Sequence, residues 1–231
     1  MNLLIIIPAH NEELNIAGTV SDIKANCPDT DFVVINDGSS DRTATICREN
    51  AYPMLNLPVN LGLTGAFLTG MRYAYEKEYD CAIQIDGDGQ HDASYIPAIL
   101  NKMEETGADI VIGSRFCAED KPLTMRMLGS RLITAAIKIT TGKTITDPTS
   151  GMRLYNRKMI KRFAKDAGLG PEPDTMAYLM RCGAEIEEQQ VIMRERTAGE
   201  SYLTAGKSIK YMLNMCMSIM FIQFFRGGRK K

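Results

Sequence analysis

The side chains best suited to chemistry stand in the stretch CAIQIDGDGQHDAS, residues 81–94, where an apolar run gives way to Asp86, Asp88 and Asp92. Like charges this close repel one another and each resists leaving water, so the cluster requires a cation or strong hydrogen-bond donors. Asp86 and Asp88, one residue apart, offer hard carboxylate oxygens to Mg2+ or Mn2+ while leaving coordination positions for phosphate oxygens. Gly87 and Gly89 let the backbone turn sharply and approach closely. A calcium loop of the EF-hand type does not fit, because His91 falls where that loop needs glycine and Pro97 where it needs a bidentate glutamate. Asp92 or Ser94 suits the cap of a helix that begins near Ser94, which leaves Asp86 and Asp88 for the cation.

Other polar clusters also follow apolar runs. PAHNE (8–12) and NDGSSD (36–41) bring in His10, Glu12 and Asp37, with Asp41 better placed as the N-cap of a following helix. NLGLTG (60–65) sets Asn60, Gly62 and Gly65 at a helix start, where backbone N–H groups could meet an anion. It lacks the lysine of a P-loop, so an ATPase reading fails. The competing reading is a helix packed closely on a sheet through its glycines.

These clusters need elements to hold them. Strand-like runs recur at 2–8, 31–37, 53–59, 81–86 and 109–115, with helical spacing at 12–27, 65–78 and 94–106 between them. That alternation predicts an α/β fold with a mostly parallel central sheet and helices on both faces. In such a sheet ligands bind beyond the carboxyl ends of the strands, which is where the polar clusters fall. After residue 120 the pattern turns helical at 125–142, 156–168 and 174–183, with one further strand expected at 187–196.

With 231 residues, 45% of them hydrophobic and 24% charged, the chain can bury a substantial core. Its six cysteines include no C-x-x-C pair and it has two histidines, so neither a disulfide framework nor a zinc site is expected. MNLLIIIPAHNEE reads as a first strand and not as a signal peptide. The net charge of −1 hides a division: residues 1–120 carry −12 and residues 121–231 carry +11. The first half is built to hold a cation and the second to meet anions, with no nucleic-acid partner expected.

PAHNE, NDGSSD, NLGLTGA, DGDGQH, GSRF and DPTSGMR occur in this order and at these intervals. Together they resemble the family-2 inverting glycosyltransferases of GT-A fold, in the branch of dolichyl- and polyprenyl-phosphate sugar synthases. The resemblance covers about residues 2–201. It implies a catalytic domain over 1–206, with a donor and metal half at 1–120 and an acceptor half at 121–206. It also implies that Pro8, His10, Glu12, Asp37, Gly62, Asp86 and Gly87 bind the nucleotide-sugar, and that Asp86, Asp88 and Gln90 organise a Mg2+ or Mn2+ ion. Asp88, Arg115 and Asp147 would be catalytic, Arg115 facing the reacting phosphates. Asp147 would orient groups near the anomeric carbon or act as a base, against a plain turn before Pro148. Arg126 and Ser130, four residues apart on one helical face, would grip the acceptor phosphate with Arg153, Arg196 and Ser201. Departures stand at Asn36, His10, Leu63-Thr64 and Tyr202, where the family commonly has aspartate, tyrosine, Lys-Gly and lysine.

The activity so implied is inverting transfer of a hexose or N-acetylhexosamine from an NDP-sugar, a UDP-sugar first among them, to a polyprenyl phosphate, undecaprenyl phosphate in a bacterium. A saccharide hydroxyl acceptor, nucleotidyl transfer and a nucleotide-sugar sensor are the alternatives. Residues 207–231 are expected to form an amphipathic helical tail. Its apolar part, 209–225, contains Asn214, Ser218 and Gln223, and is flanked by Lys207 and Lys210 and by Arg226, Arg229, Lys230 and Lys231. It suits a helix lying on the cytoplasmic face of a membrane, a helix that binds a partner or a second copy, or a span. A separate small membrane subunit is the further partner considered.

Overall fold

The computed structural model describes residues 1–118, 121, 124–194 and 205–222. Its elements run β1 (Leu3–Ala9), α1 (Ile16–Asn26), β2 (Asp31–Asp37), α2 (Thr43–Glu49), β3 (Met54–Leu57), α3 (Gly62–Glu76) and β4 (Cys81–Gln84). There follow α4 (Ile96–Thr106), β5 (Ile110–Ser114), α5 (Met125–Thr141), β6 (Arg153–Asn156), α6 (Arg157–Lys165), α7 (Pro173–Arg181), β7 (Ile186–Gln190) and α8 (Ala205–Met217). A π-helical turn at Ser218–Ile222 continues α8.

The strands form one sheet in the order β3-β2-β1-β4-β6-β5-β7. Only β6 is antiparallel to its neighbours β4 and β5; the other pairings are parallel. The carboxyl ends of β1 to β5 therefore share one rim, as expected. The two-residue alternation of side chains divides β1 between two cores: Leu4 and Ile6 pack under α3 and α6, and Ile5 and Ile7 pack with Ile16 and Val20 of α1. Strands covered on both faces stay apolar throughout, which is why β1 reads LLIIIPA and is buried along its length.

Two features correct the sequence reading. The expected strand at 187–196 is β7, which ends at Gln190. Strand β6 was not foreseen, although it fills the middle of the sheet. It is four residues long, starts on a charged residue and runs directly into α6, so it leaves no apolar run to detect. The close-packing role of the α3 glycines is real at Gly70, where a Cβ would collide with Ile6 Cγ2.

The tail is docked on the body along one face. Ile219 is fully buried in the core beneath α3 and α6, and Met212, Met215 and Met220 pack against the same core. Ser218 Oγ donates to Asp174 Oδ2 of α7 at 2.6 Å. Leu213, Met217 and Phe221 stay on the outer face and are exposed. No helix among the described residues is long and apolar enough to cross a membrane.

Candidate active site

The loops after β1, β2 and β3 are joined by side chains. His10 Nδ1 donates to the Asp37 carbonyl at 2.8 Å, because a carbonyl can only accept. In the neutral ring Nε2 is then the acceptor, and Asn60 Nδ2 reaches it at 3.0 Å. Asp37 is buried at the end of β2 and accepts the Leu61 amide at 2.7 Å. Glu12 is buried and takes Asn15 Nδ2 at 2.7 Å. Gly62 begins α3, yet its N–H is spent on Asn60 Oδ1 at 2.8 Å and is not turned outward to an anion. Asp41 caps α2 from just outside it, accepting from the Thr43 amide at 2.9 Å and the Glu13 amide at 3.0 Å. Burial raises the Asp41 pKa, but these bonds outweigh it and hold the carboxyl below its ordinary value.

The acidic loop follows β4. Gly87 N donates to the Pro8 carbonyl at 3.2 Å, which ties the loop to β1. Asp86 Oδ1 accepts Gln84 Nε2 at 2.7 Å, and Asp88 Oδ1 accepts the Gln90 amide at 3.1 Å. The Asp86 amide donates to Nδ1 of buried His91 at 2.9 Å, so the neutral ring carries its proton on Nε2, 3.9 Å from Asp86 Oδ2. A Cβ at Gly151 would lie 2.7 Å from Asp86 Oδ2, so a side chain there would push that oxygen from its place. Asp92 does what its position predicts: it accepts the Ser94 amide at 3.0 Å and pairs with Arg194 at 2.9 Å.

These residues fit a divalent cation. Two carboxylates supply hard oxygens beside a glycine that leaves Asp86 Oδ2 uncrowded. Among the described residues no three His, Cys, Asp or Glu side chains would hold an ion alone, which leaves positions for Gln90, water or the oxygens of a diphosphate.

Beyond β5, Arg115 and Asp147 form a bidentate pair, with Nε to Oδ2 at 2.7 Å and Nη2 to Oδ1 at 2.8 Å. Asp147 is 0% exposed. Burial raises its pKa, but the hydrogen bonds and charge of Arg115 prevail and hold it below the ordinary carboxylate value. A carboxylate so engaged is a weak base, which favours its orienting role. Glu188 of β7 secures the turn, accepting from Thr146 N at 2.7 Å and Asp147 N at 2.9 Å. Gln190 Nε2 donates to the Arg115 carbonyl at 3.0 Å. Sequence reading missed both residues, since acids and amides on an edge strand carry the pattern of a solvated surface.

The expected phosphate grip is corrected in part. Arg153 is 2% exposed and donates to the carbonyls of Pro148 and Pro171, so it fastens two loops together from inside and does not face a ligand. Ser130 is buried and accepts Lys121 Nζ at 2.9 Å. Arg126 lies on the α5 backbone with its side chain outside the description, and Arg196 and Ser201 lie outside the described residues.

The sequence profile of glycosyl transferase family 2 matches residues 4–163. The chain belongs to glycosyl transferase family 2. Among relatives in that family, an undecaprenyl-phosphate mannosyltransferase of Micrococcus luteus is 30% identical over 218 residues, 89% of this chain and 89% of that protein. A UDP-N-acetylglucosamine–dolichyl-phosphate N-acetylglucosaminyltransferase of Methanococcus voltae is 29% identical over 182 residues, 69% of this chain and 71% of that protein. The glucosyl-3-phosphoglycerate synthase of Mycobacterium tuberculosis, solved with Mn2+, UDP and phosphoglyceric acid, superposes with a TM-score of 0.69 at 18% identity, covering 95% of this chain and 78% of that one. At that identity the likeness concerns the fold, the GT-A arrangement, and the family makes this chain a glycosyltransferase.

Proposed function

We propose that this glycosyltransferase moves a sugar from an NDP-sugar to the phosphate of a polyprenyl phosphate with inversion. The observation that carries the reading is one juxtaposition: Asp86 lies against Gly151, in the segment whose Asp147 holds Arg115. The acidic loop after β4, which would hold a cation, and the segment that holds the Arg115 guanidinium are thereby adjacent. The M. luteus and M. voltae relatives, named for undecaprenyl- and dolichyl-phosphate transfer, support the acceptor class.

Pro8, His10, Glu12, Asp37, Gly62 and Gly87 belong to the donor side, and Asp86, Asp88 and Gln90 would hold Mg2+ or Mn2+. A cation bound there would stabilise the charge that develops on the departing diphosphate. An acceptor phosphate oxygen bonds to the anomeric carbon from the face opposite the diphosphate. The bond from that carbon to the donor oxygen breaks, and NDP leaves with the electron pair. The nucleophile is already an anion, so no strong general base is needed, in keeping with an Asp147 committed to Arg115. Arg115 then positions the attacking phosphate and Asp147 orients Arg115.

The acceptor is anchored in a bilayer, so the chain works at a membrane surface. The exposed apolar residues of α5 (Leu128, Leu132, Ile139) and of the tail (Leu213, Met217, Phe221) support attachment there, on the cytoplasmic face. Incubation with UDP- and GDP-sugars, Mn2+ or Mg2+, and undecaprenyl phosphate is expected to yield an acid-labile lipid-linked sugar, with a UDP-sugar the first donor to try. Release of NDP without lipid-linked sugar, across donors, would overturn the reading.

A further inference from the structure

A cavity of about 410 Å3 opens between Phe116, α5 and Thr146, and it contains charge of one sign. Lys121, Arg131 and Lys138 line it, with no carboxylate among the lining residues. Arg131 Nη2 is held by the Lys121 carbonyl at 2.7 Å. Lys121 Nζ donates to Ser130 Oγ at 2.9 Å and Thr134 Oγ1 at 3.3 Å. An ammonium has three donors, and among the described residues two of those of Lys121 are taken. Among the described residues none of the three cations forms an ion pair, although each would gain from one. Burial lowers the Lys121 pKa, against the opposing pull of Asp147 and Glu188. Those acids belong to the Arg115 group, so the cavity adjoins the side from which an acceptor phosphate would arrive.

The surroundings are apolar. The Phe116 ring lies 5.6 Å from Lys121 Nζ. Along α5, Leu128, Leu132 and Ile139 are 51%, 52% and 72% exposed. Their spacing sets them on one stripe of the helix that runs beside Arg131 and Lys138.

We propose that this cavity is a phosphate-binding site, in which Lys121, Arg131 and Lys138 hold the phosphate of an amphiphile whose apolar chain lies along α5. The proposal rests on the polyprenyl-phosphate reading above, and it adds three residues that replace Arg153 as acceptor-side cations.

The full-length protein is titrated calorimetrically with inorganic phosphate, geranyl phosphate and, as a control, UDP with Mn2+. Geranyl phosphate is expected to bind more tightly than inorganic phosphate. Lys121→Met and Lys138→Gln should each weaken it by about tenfold and leave UDP affinity within about twofold. A folded Lys121→Arg variant should recover most of the binding. Equal geranyl phosphate affinity in wild type, Lys121→Met and Lys138→Gln overturns the site. Flotation with phosphatidylglycerol and phosphatidylcholine vesicles separates the sources: Lys121-dependent binding to phosphatidylglycerol alone, without geranyl phosphate binding, keeps the phosphate site and assigns it to bilayer headgroups. Lys121-dependent geranyl phosphate binding without sugar transfer keeps the site and sinks the reaction. Sugar transfer with an unchanged acceptor KM in Lys121→Met keeps the reaction and sinks the site.

Discussion

On the side proposed for the donor, His10, Asp37 and Asn60 are fixed by short bonds between neighbouring loops, and Asp86 by its amide bond to His91 within its own loop. On the side proposed for the acceptor, Lys121 has two hydroxyls and Arg131 of α5 a single carbonyl as partners, and the helix leans on a tail that is itself only half buried. Under the proposed function the difference reflects what each side would handle. A nucleotide diphosphate presents many fixed polar atoms and rewards preorganised partners. A lipid phosphate presents one charged group on a long chain, and rewards positive potential beside an apolar track.

The comparison breaks first at the acidic loop. Asp88→Ala should lower kcat by about 1,000-fold, the upper range for removing a preorganised charge-stabilising group, and NDP release from a radiolabelled donor would measure it. Survival of most activity would remove the cation site from the donor side. Arg153→Leu acts differently, because it orphans the buried carbonyl of Pro148 and the half-buried one of Pro171. A loss of about 3 kcal/mol is expected, or roughly 10 °C in Tm by calorimetry. A variant with unchanged Tm and a raised acceptor KM would return Arg153 to the phosphate.

Arg115→Lys keeps the charge and loses the bidentate fork on Asp147. A fall in kcat of about 30-fold with little change in donor KM is expected from steady-state kinetics, since the effect is confined to the acceptor side. Ser218→Ala tests whether the tail braces that side. It removes the 2.6 Å bond to Asp174, at a cost of about 1.5 kcal/mol by denaturant titration.

The two regions also differed in how far their sequences could be read. Asp37, Asp86, Asp88 and the glycines stand at strand ends, so the mostly parallel sheet and the rim on which these residues gather were legible. The capping role expected of Asp92 is seen in its bond from the Ser94 amide, the spacing of a cap. On the other side, a cation in a sequence does not say whether it points in or out. Arg153 heads a short buried strand whose partners are remote in the chain, while Lys121 acquires its setting only when Ser130 and Thr134 fold over it. Glu188 and Gln190 are equally silent, since their work is done across the sheet edge on residues 42 and 75 positions away.

The smallest effect concerns Asp147 and pH. Its pKa is depressed because Arg115 compensates its burial, so its contribution to stability is complete above the ordinary carboxylate value of 3.8 and is lost as pH falls through the lower folded value. The difference in Tm between wild type and Asp147→Asn should therefore be flat from about pH 5 to 8 and shrink only in more acid solution. Asp41 and Asp109 are also depressed and contribute to acid unfolding in both proteins, so they cancel in the difference. A difference that changes near neutrality would mean that Asp147 takes up a proton in the working range. That would weaken its role as a fixed orienting group and reopen the case for a hydroxyl acceptor, which needs a base.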